Sequence, residues 1–238
     1  MVLAVNERYY SKMKKTRELN IYAKLLEQPL FQGMSKGELE QMISHTKFDF
    51  FKYKDNETIV KEGDVCDRLR FMTNGILMTE TSTDDKGLTL YEELRAPYVM
   101  QPERIFGLTQ RYTKSYTAKG DCNLMTLDKN EIINLSDRFM IFRLNLLNII
   151  STQAQKNARR QWRHTPDNLR QRITRFLEIH CERPAGLKVI RTKMTKLANE
   201  LNDNRLSISQ ELNKMQEEGL ITLKREYIFI PAFERLIM

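Results

Sequence analysis

The sequence is poor in cysteine, proline and glycine, with 3, 6 and 9 of these among 238 residues. Cys66, Cys122 and Cys181 are odd in number, far apart and without CxxC spacing, so neither a disulfide framework nor a zinc or iron–sulfur motif can be read from them. They read as free buried thiols, with redox sensing as the other role open to them. The scarcity of Gly and Pro, beside 41% hydrophobic and 29% charged residues, excludes collagen-like, low-complexity and wholly disordered chains. No apolar run approaches the roughly 18–20 residues needed to cross a bilayer; the stretch 144–150 is interrupted by Asn145 and Asn148. The apolar start ends at Asn6, too short for a secretory core, so no membrane association and a cytoplasmic location are expected. There is no GxGxxG, no GxxxxGK[ST] and no HExxH, and His45, His164 and His180 are scattered, so neither an enzyme nor a metal site is expected.

What the chain does have is positive charge in one place. Lys and Arg total 39 against 31 Asp and Glu, a net charge of +8. From Lys156 onward, 17 Lys/Arg face 10 Asp/Glu, so the last third holds almost all of the excess. Such a segment suits phosphate-backbone attraction, because neutralising phosphates releases condensed counterions.

Residues 1–20 are polar and rich in Lys, Arg and Tyr, as in an arm or a leading helix. From Ile21 to Ser44 apolar residues recur at helical spacing around Pro29 and Gly33, which predicts two short helices. Ser35 with Glu38 makes a capping box for the second. Between Phe48 and Leu127 short alternating runs predict strands at 48–53, 58–61, 68–73, 76–81, 88–94 and 123–127. Asn74-Gly75 suits a type I′ hairpin, and Asp84-Asp85-Lys86-Gly87 suits another turn. Many short antiparallel strands suggest a sandwich or barrel.

Helical period returns from Lys129 to about Trp162, over a length of about 50 Å at 1.5 Å per residue. Phe139, Phe142, Leu146 and Ile149 form one apolar stripe and Leu147, Ile150, Ala154 and Ala158 an adjacent one; one stripe is expected to meet a second copy of the helix in a parallel homodimer, with Phe139, Phe142, Leu146, Ile149 and Ile150 as the contact residues. His164-Thr165-Pro166-Asp167 reads as a linker, after which Leu169, Ile173, Phe176 and Leu177 begin another helix. The division expected is 1–128, 129–163 and 164–238.

Leu197, Ala198, Leu201, Ile208, Leu212 and Met215 form two short helical faces separated by Asn202-Asp203-Asn204, the pattern of a helix-turn-helix. The second helix offers Asn204, Arg205, Ser207, Ser209, Gln210 and Lys214. Arg can bond guanine, Gln adenine, and Ser or Lys phosphate. Gly219 stops the helix, and two short strands follow around Lys224-Arg225-Glu226, a wing placed to touch the DNA backbone through Lys224 and Arg225.

Taken in order, these segments resemble the cyclic AMP receptor protein and fumarate-nitrate regulator (Crp/Fnr) family. The resemblance rests on Pro29-Leu30-Phe31-Gln32-Gly33-Met34-Ser35, Ile59-Val60-Lys61-Glu62-Gly63-Asp64, Leu69 to Gly75, Arg172-Ile173 with Phe176-Leu177, and Leu197-Ala198. It continues through Arg205-Leu206-Ser207-Ile208-Ser209-Gln210-Glu211-Leu212 and Glu218-Gly219-Leu220-Ile221. It implies an α+β fold with an N-terminal cyclic-nucleotide-binding-like β-barrel of jelly-roll type, a dimerisation helix and a C-terminal winged helix-turn-helix. The implied function is that of a homodimeric, sequence-specific transcription regulator of bacterial type, with double-stranded DNA, RNA polymerase and a small-molecule effector as its partners. By the same analogy Arg205 would read bases. Leu206 stands where many members carry an acidic residue, so their operators do not transfer. The competing reading is a non-DNA scaffold whose basic winged helix binds a protein.

Relatives that bind cyclic AMP use a Gly-Glu-Leu stretch for the ribose and an Arg-Ser pair for the phosphate. Here the corresponding positions hold Gln101-Pro102-Glu103 and Tyr112-Thr113, so cyclic AMP is not expected by the usual contacts. Arg111, Lys114 and Ser115 could supply the charge in a shifted register for some other anion, and Asn157 on the long helix would face the same pocket. The cofactor stays unassigned. Some relatives use haem, for which the three histidines and the cysteines are conceivable ligands without diagnostic spacing.

Overall fold

The computed structural model describes residues 21–160 and 166–237. The expected arm at 1–20 and His164 and Thr165 of the expected linker lie outside the described residues.

Helix α1 covers 21–27, a 3-10 turn follows at Pro29–Phe31, and α2 spans Lys36–His45. The capping box is present: Ser35 Oγ accepts from the Glu38 backbone N–H, and the Ser35 N–H donates to the Glu38 carboxylate at 2.8 Å. Strands β1 (Asp49–Tyr53), β2 (Thr58–Val60), β3 (Arg68–Ser82), β4 (Leu88–Arg95), β5 (Tyr98–Met100) and β6 (Ser115–Asp128) build the first region. Two helices follow, α3 (Lys129–Arg138) and α4 (Met140–Arg160), then α5 (Leu169–His180), β7 (Lys188–Thr192), α6 (Met194–Glu200), α7 (Arg205–Glu217), β8 (Thr222–Lys224), β9 (Tyr227–Ile230) and α8 (Glu234–Ile237).

The expected hairpin at Asn74-Gly75 does not form. The runs 68–73 and 76–81 merge into the single strand β3, whose pairing with β6 shifts register on both sides of Asn74. Gly75 sits there at φ +103°, and a Cβ on it would lie 2.7 Å from the Asp121 carbonyl oxygen and 2.8 Å from Cys122 Sγ. Glycine therefore serves a bulge in which two backbones approach closely, a second use of the same residue type. The bulge lets β3 pair with β5 in its first half and with β4 in its second. The turn at 83–87 forms as expected, with Lys86 at φ 53°.

One antiparallel sheet runs β1-β6-β3-β4-β7-β9-β8, with β2 added to β6 and β5 to β3. The pairing does not return on itself, so the expected barrel is an unclosed sheet that wraps its core. The α+β class holds. Leu69, Phe71, Met72, Leu77, Leu94, Tyr112, Tyr116 and Leu124 fill that core together with Leu30 and Phe31.

The long helix differs from expectation in two ways. It is broken at Phe139, where φ −120° and ψ 104° are extended, so the single expected run is two helices, and the described residues of α4 span roughly 32 Å. Phe139, Phe142 and Leu146, expected to face a partner, are 5%, 0% and 7% exposed and pack in the first core, with Ile149 and Ile150 against its edge. Phe142 lies 5.5 Å from the Phe31 ring, and Asn145 Nδ2 donates to the Leu30 and Gln32 carbonyls. The strongest apolar stripe thus covers the helix's own chain.

The two hydrophobic cores are joined through one sheet. Strand β4 pairs with β7 over five residues, from Leu88↔Thr192 to Glu92↔Lys188, and Leu88 and Leu90 belong to the second hydrophobic core, with Ile173, Ile190, Leu197, Ile208, Leu212 and Ile228. At the end of this seam the Glu92 and Lys188 side chains, both 0% exposed, form an ion pair at 3.2 Å. The Glu182 backbone N–H donates to both Glu92 oxygens, and Lys114 Nζ lies 2.6 Å from the Glu182 carboxylate. Burial of these charges is tolerated because each has an opposite partner and hydrogen bonds.

Candidate nucleic-acid interface

Helices α6 and α7 are joined by a tight turn in which Asn202 takes φ 49° and the Asp203 N–H donates to the Ala198 carbonyl. Asn204 caps α7, its Oδ1 accepting from the Ser207 N–H at 2.8 Å. Ile208, Leu212 and Met215 bury the inner face against the second core. Arg205, Leu206, Gln210, Asn213 and Lys214 are exposed, while Ser207 and Ser209 are half-buried on the flanks.

The wing follows. Strands β8 and β9 pair from Thr222↔Phe229 to Lys224↔Tyr227, and Glu226 at φ 62° makes the turn. Lys224 Nζ lies 5.1 Å from the Phe229 ring centre, holding the cation along the strand. Between wing and α7 runs a groove of about 370 Å³ lined by Thr192, Lys193, Thr195, Arg205, Lys224 and Arg225 among others. Lys193 and Thr195 went unrecognised in the sequence. Their position just before the Leu197-Ala198 pair, at the start of the first helix, was the available signal.

Not all of the positive charge reaches this face. Arg170 donates to Glu211 at 2.8 Å and to Glu218 at 2.6 and 2.9 Å, holding the Glu218 carboxyl below the usual carboxylate range. Arg172 binds the Leu201 carbonyl and Asp203, fixing the turn between α6 and α7. These cations brace the helix-turn-helix from behind. Arg205 and Arg225 have no ion-pair partner among the described residues.

Of the residues expected at an effector pocket, Gln101 and Thr113 engage one another, and Arg111, Tyr112, Lys114 and Ser115 are held by groups outside the set. Gln101, at φ 38°, donates through Nε2 to Thr113 Oγ1 and accepts from the Thr113 N–H at 2.9 Å. Tyr112 is buried, accepting from Arg70 at 2.7 Å, and burial raises its phenol pKa. Arg111 points outward to the Gly63 carbonyl, Ser115 Oγ accepts from the Glu62 N–H, and Lys114 is held by Glu182. Burial pushes the Glu103 carboxyl up. The side chain of Asn157 lies outside those described. His45 and His180 ring nitrogens sit within hydrogen-bond distance of carbonyls one turn back in their own helices, and no cluster of His, Cys, Asp or Glu fit for a metal occurs among the described residues. The three cysteines are buried and none is joined in a disulfide.

Residues 171–238 match the family model of the Crp-like helix-turn-helix domain. No curated protein matches the chain. Among solved structures, the sensor domain of the transcriptional regulator DNR from Pseudomonas aeruginosa aligns with TM-score 0.50 and 14% identity, covering 64% of this chain and 97% of that one. The Thermus thermophilus catabolite activator protein aligns at TM-score 0.47 and 17% identity over 88% of this chain and 96% of its own. FixK2 from Bradyrhizobium japonicum gives 0.46 and 12%, over 80% and 96%. No helix among the described residues is long and apolar enough to cross a membrane. The match assigns residues 171–238 to the Crp-like helix-turn-helix domain, in agreement with α6, α7 and the wing described above.

Proposed function

We propose that the chain is a sequence-specific DNA-binding transcription regulator that acts as a homodimer in the cytoplasm. One observation carries the reading. The outer face of a capped α7 and the cation-lined groove beside the wing lie together, with Arg205 shared between them. In this reading Gln210 and Arg205 address base edges, while Lys193, Lys224 and Arg225 hold phosphates.

The dimer contact runs along α4 on the side away from the core. Met140, Leu144 and Leu147 are 62%, 47% and 54% exposed. With Ser151, Ala154 and Ala158 they follow a 4,3,4,3,4 spacing on exposed positions, the spacing of a two-helix seam. Residues 1–128, 129–163 and 164–238 serve as sensor, dimer helix and DNA-binding parts. Effector control acts through the cluster around Gln101, Thr113 and Lys114, where an incoming anion would compete with Glu182 for Lys114.

The test is binding of the full chain to its own upstream DNA at two salt concentrations. DNA binding predicts a linear fall of log affinity with log salt, at least tenfold between about 50 and 200 mM. Arg205→Ala should weaken specific binding more than non-specific binding. Salt-indifferent association, or unchanged operator affinity in Arg205→Ala, refutes the assignment and favours a protein-binding scaffold.

A further inference from the structure

Leu206 is 68% exposed, the most exposed large hydrophobic side chain in the described C-terminal region. It takes no part in the second core, even at the partly buried margin where Leu169, Leu220 and Leu223 pack. At about 100° per residue it lies roughly 160° around α7 from Ile208 and on the side opposite Met215, both fully buried. One turn on, along the same outward line, are Gln210 and then Asn213, with Arg205 beside it, all exposed and polar. An isolated apolar side chain at the tip of an otherwise polar recognition surface is explained by a partner with an apolar feature at that point.

We infer, on the reading of α7 as the helix that enters the major groove, that Leu206 packs on the C5-methyl group of a thymine and selects an A·T pair there. In that groove every base edge presents donors or acceptors, and thymine adds the one methyl group. Leucine against guanine, cytosine or adenine edges would desolvate polar atoms and give no hydrogen bond in return. Against the methyl group it buries apolar surface on both sides. Leu206 therefore contributes specificity, and Arg205 and Gln210 beside it supply the hydrogen-bonded part of the recognition.

The experiment begins with selection of bound sequences from randomised duplex DNA by the full chain. Each selected thymine is then replaced in turn by deoxyuracil, which removes only the methyl. The expected result is one position per half-site at which uracil weakens wild-type binding by about fourfold, the factor for one buried methyl group. Leu206→Ala, at an exposed site where folding should be unaffected, should bind the thymine and uracil operators equally and keep the wild-type salt dependence. Uracil tolerated at every position, or a Leu206→Ala protein that still distinguishes thymine from uracil, overturns the inference. Failure to enrich any sequence refutes the DNA-binding reading itself and the inference with it, and this shows before any change at residue 206.

Discussion

The two hydrophobic cores are built differently. The first is assembled from consecutive parts of the chain, helices α1 and α2, strands β1 to β6 and the inner faces of α3 and α4. The second is incomplete without Leu88 and Leu90, which come from β4 some eighty residues ahead of α5. A small winged helix buries a modest share of its surface, so two leucines and a strand partner from β4 add to its support. The contrast teaches that the region carrying the helix-turn-helix gets part of its stability from the β3–β4 hairpin. Its orientation is set by a shared sheet and a buried ion pair as well as by the helix that precedes it.

The strongest way to break this arrangement is Lys188→Met. It leaves the fully buried Glu92 without its closest cation, and loss of one partner of a buried pair costs about 3–5 kcal/mol. Denaturant unfolding should show that loss, and hydrogen exchange should speed at β4 and β7 together. A β7 that opens while β4 stays protected would show that the seam is not a cooperative unit. Next comes Leu90→Ala, a change in β4 expected to destabilise the helix-turn-helix region. A buried leucine truncation costs about 2–5 kcal/mol. The comparison is sharpened if exchange protection falls in α5 to α7 more than at Leu69 to Leu77, and is broken if the reverse is seen.

The smallest effect lies at the rim of the seam, where Asp85 meets Lys196 at 2.8 Å. Hydrogen bonds from Lys196, Thr83 and the Gly87 N–H hold the Asp85 carboxyl well below the usual carboxylate range. A depressed native value means that the stabilisation is present above the ordinary carboxylate pKa near 4 and fades as pH falls below it. Lys196 is raised by Asp85 and Glu200, so its share is present below about pH 10 and lost above it. Asp85 is exposed and Lys196 half-buried, and solvent screening at the rim keeps the effect slight. Unfolding midpoints at pH 6 and pH 3 should differ less in Asp85→Asn than in the wild type.

Local signals were legible in sequence wherever neighbours along the chain decided the outcome. The capping box at Ser35 and Glu38, the turn at 84–87, and the helix-turn-helix with its wing needed only short-range spacing. Asn74-Gly75 was misread because a hairpin and a bulge ask the same thing of glycine, and only the approach of Asp121 and Cys122 separates them. The stripe of Phe139, Phe142 and Leu146 was rightly seen as apolar, yet periodicity gives a face and not its occupant. The pairing of Lys114 with Glu182 was not legible, because nothing near either residue in sequence announces the other.

Sequence alone determined the class of elements, the place of the basic excess and the largely polar outer face of α7, since hydrophobic period and capping chemistry act over a few residues. Tertiary structure decided that β4 joins β7, that Glu92 and Lys188 are buried together, and that Arg170 and Arg172 face inward. Those outcomes depend on which distant backbone edges and charges meet once water is excluded, and a pairing between residues a hundred positions apart leaves no local trace in either partner.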